Sequence, residues 1–407
     1  MMLKVAQIKV KITPEGRFFP PMMPNGHWAE DFADHQYASV LLLEAEKAKL
    51  IWISLDAIGT SKEFSDAVRN RLGAGFGIPF ENINIGYTHS HCAPRIGQTK
   101  GTMKGCSKEY EQFVSDKILD AAERCLKKGL EEVDVYEKCF DGNGYYSNRN
   151  GLEKIGDTEI KVLEFRNKNN VVKALAVAYA CHATVVNFQN TRSMNSDLGG
   201  YLARGLEERT GIYPVVMVGA AGDMSNRCCR QGNEYAELIR VGEGLLARYD
   251  EVKDERKLVI NNVEVETYQF KETFVTTKEQ RHEQIAKIRK QIEEAKTADL
   301  KRVFNSALSM ALMDPEGTTF ILDLNGVIIR MNDLEICTMP AELFSCFGLK
   351  IKSAMKVKCP VFWGYSNYSV GYLYNKEEAG LSFESAATNI PAGIPEKIVE
   401  YLCEKVK

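Results

Sequence analysis

LIWISL at residues 50–55 and NINIGY at residues 82–87 are the two short apolar runs that decide the predicted fold. A helix N-terminus is indicated between them at Thr60-Ser61. The apolar residues that follow it at helical spacing are Phe64, Val68 and Leu72. A strand, a helix and a strand in this order indicate a right-handed parallel crossover, so this stretch predicts an α/β fold.

The same alternation of strands and helices continues along the chain. Further strands are predicted at residues 172–180, 214–218, 334–338 and 359–363, and the N-terminal residues alternate like a strand. A helix that begins at Asp197 and ends near Gly211 separates the first two of these strands. A second helix, which opens at Pro340, separates the last two. We therefore expect an α/β fold with mixed, largely parallel sheets and flanking helices, in one domain over residues 1–407.

Residues 275–314 differ from the rest of the chain in composition. KEQRHEQIAKIRKQIEEAKTAD at 278–299 is mostly charged, with a narrow apolar stripe at helical spacing formed by Ile285, Ile288, Ile292 and Ala295. This pattern predicts a long exposed helix, continued by a second helix around 300–313. We expect a helical insertion that packs on the protein or on a second protomer, which makes a homo-oligomer possible. His282 is expected to be a solvated surface residue.

Composition excludes several classes of protein. The chain has 407 residues, of which 44% are hydrophobic and 26% are charged, as in ordinary globular proteins. The net charge is −3 and basic residues form no stripe, so nucleic acid is not expected as a partner. No run approaches the 18 apolar residues typical of a membrane-spanning helix, so integral membrane association is not expected.

The cysteines indicate a reducing compartment. There are 11 of them, an odd number, and they are scattered without CxxC pairs, so a disulfide framework is not expected. The N-terminal stretch also lacks the apolar core of a secretory signal, and we expect a cytoplasmic protein. Cys228-Cys229 could bind a soft metal, but two ordinary thiols in a loop are favoured because no second ligand pair accompanies them.

Polar residues follow the predicted strands at the points where the strands end. In open α/β sheets, ligands bind outside the carboxyl ends of the strands. Six strand ends would deliver His, Asp, Glu and amide groups to one such edge. The residues and segments concerned are Asp56, Thr88–His91, Cys181–Thr184, Gly219–Ser225, Met339–Glu342 and Gly364–Asn367.

Three of the six histidines, His89, His91 and His182, fall in these turns. His89 and His91 are two residues apart and share one face if the strand continues. Two histidines plus a distant carboxylate form a catalytic zinc ligand set with an open position for water. The alternative is that each histidine only bonds to the backbone at a strand end. Ser225, in GAAGDMSNR, is a rival nucleophile, but a turn or cap role is favoured for it.

Seven short motifs in order along residues 1–385 together resemble the catalytic N-terminal domain of the neutral ceramidase family. They are THSHCAP at 88–94, SNRN at 147–150, CHAT at 181–184, SDLGGY at 196–201, GAAGDMSN at 219–226, PAE at 340–342 and GYLYNKEE at 371–378. The resemblance implies a ceramidase-like fold. It also implies a zinc-dependent hydrolase that cleaves an amide bond with metal-activated water.

The resemblance carries site roles to particular residues. It implies that Zn²⁺ is held by His89, His182, Glu342 and Tyr372, while His91 and Arg149 line the reacting carbonyl. A structural ion pair remains an alternative for Arg149, as does a packed aromatic cluster for Tyr372.

An N-acyl, ceramide-like compound is the first expectation for the substrate. We expect a small or short-chain one, because the helix at 278–299 lacks the bulky apolar face of an interfacial anchor. Two alternatives stay open. One is a metal-dependent hydrolase of a polar, sugar-like substrate, and the other is a non-catalytic binding protein with the same fold.

Overall fold

A computed structural model describes residues 3–24, 26–46, 48–97, 106–186, 191–296, 298–313 and 316–406. The strands are β1 (Leu3–Lys11), β2 (Asp31–Phe32), β3 (Tyr37–Glu44), β4 (Lys49–Leu55), β5 (Ile83–Tyr87), β6 (Glu131–Asp141), β7 (Ser147–Asn148), β8 (Glu159–Arg166), β9 (Val172–Tyr179), β10 (Ser193–Met194), β11 (Val215–Val218), β12 (Met224–Ser225), β13 (Arg256–Leu258), β14 (Glu264–Thr276), β15 (Thr318–Met331), β16 (Leu334–Thr338), β17 (Glu342–Leu343), β18 (Cys359–Trp363) and β19 (Tyr372–Leu373). The α-helices are α1 (Lys62–Phe76), α2 (Lys108–Lys128), α3 (Asp197–Thr210), α4 (Tyr235–Glu251), α5 (Lys278–Glu294), α6 (Ala298–Ala311), α7 (Ser345–Ala354), α8 (Phe383–Ala386) and α9 (Ile394–Lys405).

The largest sheet has the strand order β11-β9-β8-β6-β1-β3-β4-β5, with β13 also paired to β6. The predicted mixed α/β fold with flanking helices is confirmed. The parallel crossover is confirmed as well, since β4 pairs with β5 in parallel, as β9 does with β11. The expectation that pairing is largely parallel is wrong for this sheet, because its remaining pairs are antiparallel. A strand that is covered on both faces has an apolar sequence whether its neighbours are parallel or antiparallel. The sequence pattern therefore did not distinguish the two kinds of pairing.

Both faces of this sheet are covered. The first four helices pack on one face around residues such as Val40 and Ile53. A second sheet, β14-β15-β16-β18, packs on the other, where Trp52 of the first sheet joins Ile329 and Trp363 of the second in one apolar cluster. Helices α7 and α9 cover the outer side of the second sheet. The resulting order of layers is helix, sheet, sheet, helix.

Helix ends follow local sequence signals in two of the three predicted cases. Ser61 Oγ accepts from the Phe64 N–H at 3.1 Å where α1 begins, and α3 ends at Gly211, whose φ of +78° suits a residue without a side chain. The prediction of a helix opening at Pro340 is wrong. The Pro340 carbonyl instead accepts from the Val370 N–H at 2.8 Å, the chain enters β17 at Glu342, and α7 begins only at Ser345.

Two helices lie between the antiparallel strands β14 and β15, where the charged stretch predicted them. Ile285 and Ile288 of α5 pack against Phe304, Ala307 and Ala311 of α6. His282 lies on the exposed side of α5, as expected. None of the helices in the described ranges combines the length and the apolar character that crossing a bilayer requires.

Candidate metal centre

His89, His91 and His182 meet beyond the ends of β5 and β9. His89 has a φ of +59°, a left-handed conformation that is uncommon for a residue with a side chain and is often found at functional sites. Ser90 fixes the turn by donating from Oγ to the Asn195 carbonyl at 2.8 Å. The His182 N–H donates to the Met224 carbonyl at 2.9 Å. Backbone and hydroxyl bonds therefore hold the two turns that carry the histidines.

Hydrogen bonds assign the tautomers of two of these histidines. His89 Nδ1 is 2.7 Å from the Ile58 carbonyl and His182 Nδ1 is 3.0 Å from the Ala221 carbonyl. A carbonyl only accepts, so each Nδ1 carries a proton, and Nε2 of the neutral ring presents a lone pair. The two Nε2 atoms are 3.1 Å apart, and His91 Nε2 is 3.3 Å from that of His89.

Burial keeps two of these rings neutral. The pKa values of His91 and His182 lie well below the ordinary value, because burial disfavours the charged form and Arg149 and the neighbouring histidines add repulsion. Neutral imidazole is the form that binds metal ions. His91 and His182 therefore have the protonation that a cation requires.

Glu342 completes the cluster. Its Oε2 is 3.4 Å from His89 Nε2 and 3.5 Å from His182 Nε2. This oxygen is buried and has no hydrogen-bond donor within the part of the chain that the structure describes. Burial alone would raise the pKa of Glu342, but interaction with the His89 ring and the charge of Arg149 hold that pKa below its ordinary value. The carboxylate is therefore ionised and lies beside the Nε2 atoms of His89 and His182.

The spacing of these atoms fits a metal ion. Donor atoms around a tetrahedral zinc with bonds of ~2.0–2.1 Å stand roughly 3.3–3.4 Å apart. The distances among His89 Nε2, His182 Nε2 and Glu342 Oε2 run from 3.1 to 3.5 Å. When both rings are neutral, their lone pairs and the carboxylate repel one another, and a cation at their centre removes the repulsion. The residues present fit a bound metal.

Other metal-ligating groups do not assemble in this way. Across the described ranges, the three histidines are the one group of His, Cys, Asp or Glu side chains that meets the spacing for a metal ion. Cys228 Sγ lies 3.9 Å from the Arg149 carbonyl, and Cys229 Sγ lies 3.7 Å from Ser147 Oγ. These contacts favour ordinary thiols for the cysteine pair.

Two tyrosines border the cluster. Strand β19 pairs in parallel with β17, and this register places Tyr372 opposite Glu342. Tyr372 OH is 3.5 Å from His182 Nε2, and the two rings stack with 14° between their planes. Tyr365 OH is 3.4 Å from His182 Nδ1, and its φ of +51° is again left-handed. Sequence reasoning noted the turn that carries Tyr365 but gave the residue no role.

Arg149 reaches the cluster from the end of β7. Its Nε donates to Glu384 Oε1 at 2.7 Å, and Nη2 lies 2.6 Å from the same oxygen in an ion pair. Nη2 donates to the Gly222 carbonyl at 2.7 Å and to Tyr372 OH at 3.3 Å. The described residues supply no acceptor for Nη1. Burial alone would lower the pKa of the Arg149 guanidinium, but Glu384 and Tyr372 outweigh it and raise that pKa above its ordinary value.

Glu384 is the residue that sequence reasoning did not assign. The charge opposite Arg149 comes from α8, 235 residues further along the chain. The ion pair expected as the alternative role of Arg149 is therefore present, and it lies beside Tyr372. The one sequence signal was a glutamate in the tail of the last family-like motif.

Several strand-end polar residues make contacts elsewhere. Asp56 Oδ2 accepts from the Tyr37 N–H and from Tyr213 OH, both at 2.9 Å. Asp223 Oδ1 accepts from the backbone N–H where α7 begins, at 2.7 Å. Ser225 Oγ accepts from the Arg227 N–H at 3.2 Å. Their recorded bonds brace turns and helix ends instead of pointing at the histidines.

Two solved structures are similar to this chain. One is the neutral ceramidase from Pseudomonas aeruginosa, with a TM-score of 0.74 and 17% sequence identity over 100% of this chain and 74% of that one. The other is a ceramidase complexed with C2, with a TM-score of 0.73 and the same identity and coverage. At this identity the likeness shows the fold, and the predicted ceramidase-like α/β architecture is confirmed. No protein-family model and no curated protein sequence matches the chain.

Proposed function

We propose that this protein is a zinc-dependent hydrolase that cleaves the amide bond of a small or short-chain N-acyl, ceramide-like substrate with a metal-activated water. One observation carries the proposal: the Nε2 atoms of His89 and His182 lie 3.1 Å apart beside Glu342 Oε2, which has no hydrogen-bond partner in the described residues. The ceramidase-like fold supports the same reading. We further propose that residues 1–407 act as one catalytic domain, with residues 275–314 inserted in it.

His89, His182 and Glu342 would hold the zinc, with Tyr372 as the fourth ligand. A zinc bound there supplies a Lewis acid that polarises a carbonyl and lowers the pKa of water to about 7. The carbonyl bonds at the two Nδ1 atoms orient the imidazoles and increase the basicity of Nε2, which is the usual role of such bonds around a metal.

Arg149 and His91 would act on the reacting amide. Arg149 keeps its charge in a buried position, and its Nη1 can donate to the oxygen of the carbonyl as negative charge develops there. His91 is neutral and adjoins His89, so it can take a proton from the attacking water and give it to the leaving amine. Ser225 then has no nucleophilic role, because water is the nucleophile.

The cysteines support a reducing, cytoplasmic environment. All 11 lie in the described residues and carry free thiols. A substrate available in that compartment would be a soluble or short-chain amide. The proposal includes neither a nucleic-acid partner nor integral membrane association, and it leaves room for a homo-oligomer through α5 and α6.

The test is elemental analysis of the purified protein, followed by hydrolysis of a chain-length series of short N-acyl amides. We expect about one zinc per protomer and amide cleavage that a chelator abolishes and zinc restores. Bound zinc without any amide cleavage would favour the sugar-like substrate or the binding-protein alternative. A metal-free protein that still cleaves amides would contradict the proposal.

Liposome co-sedimentation tests the substrate class. Weak vesicle binding and a preference for short chains are expected. Strong vesicle binding together with a preference for long-chain ceramide would overturn the short-chain part of the proposal and leave the metal chemistry intact.

A further inference from the structure

Both carboxylate oxygens of Glu384 accept hydrogen bonds from the segment that carries Arg149. Oε1 accepts from Arg149 Nε at 2.7 Å and forms an ion pair with Nη2 at 2.6 Å, and Oε2 accepts from Asn150 Nδ2 at 3.3 Å. The Arg149 and Glu384 side chains are 7% and 1% exposed, so water screens the pair little. Paired nitrogens on a planar guanidinium fix its orientation as well as its position. The direction of Nη1 therefore depends on Glu384.

Helix α8, which carries Glu384, is too short to be stable on its own. Helix α8 has four residues, and its cap is the Ser382 hydroxyl, which accepts from the Ser385 N–H at 3.3 Å. Isolated helices this short are unstable, so tertiary contacts must supply the order. On one side those contacts come from the site, where the Phe383 ring packs edge-on against Tyr372 with 6.0 Å between centroids.

On the other side, α8 rests on the helical hairpin formed by α5 and α6. Ala386 packs against the apolar cluster of the hairpin, which consists of Ile285, Ile288, Phe304, Ala307 and Ala311. Gln291 Nε2 donates to the Gly380 carbonyl at 2.8 Å, four residues before Glu384. Arg281 Nη2 donates to Asn389 Oδ1 at 3.1 Å, five residues after Glu384. The hairpin therefore holds the chain on both sides of α8.

Arg281 has no carboxylate partner in the described residues. It is 3% exposed, its bonds go to the amide oxygens of Gln284 and Asn389, and its Nε is unpartnered. A buried cation with so few partners costs free energy, so its bond to Asn389 is costly to break.

We propose that Glu384 is a positioning residue for Arg149, and that the helical hairpin at 278–311 serves the site by holding α8. The catalytic role given to Arg149 rests on the proposed function. The contacts that run from Gln291 and Arg281 through α8 to Arg149 are independent of it. The hairpin therefore determines the direction in which Arg149 Nη1 points toward the reacting carbonyl.

The test compares three variants with the wild-type protein: Glu384→Gln, the hairpin variant Arg281→Gln/Gln291→Ala, and the triple variant. Glu384→Gln should lower kcat on an amide substrate by about 100-fold with KM changed much less, as expected for a misplaced catalytic group. The hairpin variant should lower kcat by about 3- to 10-fold, and it should have no further effect in the Glu384→Gln background. The matched control Glu283→Ala, on the exposed side of α5, should behave as wild type.

A second readout does not depend on turnover. The fraction of Arg149 modified by phenylglyoxal, followed by mass spectrometry, should rise faster in Glu384→Gln and in the hairpin variant than in wild type and Glu283→Ala. Zinc content and thermal unfolding identify variants that fail to fold. If the Arg281→Gln/Gln291→Ala variant fails to fold, the single variant Gln291→Ala replaces it in both measurements.

Two results would overturn the proposal. One is a hairpin variant in which phenylglyoxal modifies Arg149 no faster than in wild type. The other is a hairpin change that lowers kcat by the same factor in the wild-type and in the Glu384→Gln background. A wild-type protein that cleaves no amide would refute the proposed function and leave the reactivity test standing.

Discussion

Two polar clusters of this protein differ in whether their acceptors meet donors. The aspartate cluster consists of Asp34, Ser196, Arg204 and Tyr235. Asp34 Oδ1 accepts from the N–H and Oγ of Ser196, both at 2.7 Å, and Oδ2 accepts from Arg204 Nη2 and Tyr235 OH, both at 3.0 Å. Every acceptor on Asp34 has a donor, so this cluster is complete without a ligand.

The histidine cluster of His89, His182 and Glu342 brings acceptors together instead. The Nδ1 protons of His89 and His182 point outward to carbonyls, and their Nε2 atoms lie 3.1 Å apart beside Glu342 Oε2. The two clusters therefore differ in the balance of donors and acceptors. That balance separates a structural network from a ligand site, and the following predictions address it.

Removing a histidine should cause the largest loss of function. His182→Ala deletes one proposed ligand, and loss of a Lewis acid worth several kcal/mol should lower kcat/KM about 1,000-fold or more. His282→Ala, on the exposed side of α5, is the matched control and should keep full activity and zinc. The measurements are amide hydrolysis and zinc content. Equal activity in the two variants would place the chemistry elsewhere.

Asp56 should make stability depend on pH. Burial raises its pKa to about 7, against hydrogen bonds from Tyr37 and Tyr213 and the charge of Arg204, which lower it, while Asp34 adds repulsion. The folded state then holds a proton that the unfolded state releases near pH 3.9. Stability should therefore be complete below about pH 4 and fall by on the order of 3–4 kcal/mol as the pH rises through 7.

Asp56→Asn removes this titration while keeping an acceptor for the two bonds. Urea unfolding from pH 4 to 8 should show a smaller decline in the free energy of unfolding for Asp56→Asn than for wild type. Parallel pH curves would mean that Asp56 is ionised throughout.

Breaking the aspartate cluster should affect stability and leave metal binding unchanged. Asp34→Ala removes one partner of the ion pair with Arg204 and should cost about 3 kcal/mol of unfolding free energy. Asp120→Ala, which breaks an exposed pair with Arg124, should cost less than about 1 kcal/mol. Zinc content should equal that of wild type in both. A loss of zinc in Asp34→Ala would show that the two clusters are coupled.

The smallest effect is expected at Ser225. Its hydroxyl accepts a bond from Arg227 and takes no part in the proposed reaction, so Ser225→Ala should keep kcat within about 3-fold of wild type, the cost of roughly one hydrogen bond. Abolished turnover with zinc retained would contradict the metal-water mechanism.

The sequence predicted which residues meet at the site better than it predicted how the strands of the sheet pair. His89 and His182 follow β5 and β9 of the first sheet, and Glu342 follows β16 of the second. The rule that ligands bind at the carboxyl ends of strands predicted their meeting, but the sequence did not show that two sheets supply them. The strands recognised from motifs are those that pair in parallel, namely β4 with β5, β9 with β11 and β16 with β18. The antiparallel strands between them carry no motif, and this explains why the parallel share was overestimated.

Contacts between distant segments were out of reach of sequence reasoning. Glu384 meets Arg149 because the hairpin holds a four-residue helix against the site, and local periodicity does not encode that docking. Asp56 ends a strand as the site residues do, yet Tyr213 captures its carboxylate. After Pro340, the pairing of β17 with β19 overrode the tendency of proline to begin a helix.

X-ray absorption at the zinc edge tests the central claim most directly. The protein is loaded with one equivalent of zinc and dialysed, and the first coordination shell is measured. We predict nitrogen and oxygen neighbours at about 2.0–2.1 Å with the multiple-scattering signature of imidazole, and their loss in His89→Ala. A sulfur neighbour at about 2.3 Å, which would point to Cys228 and Cys229, or zinc that washes out on dialysis, would contradict the account.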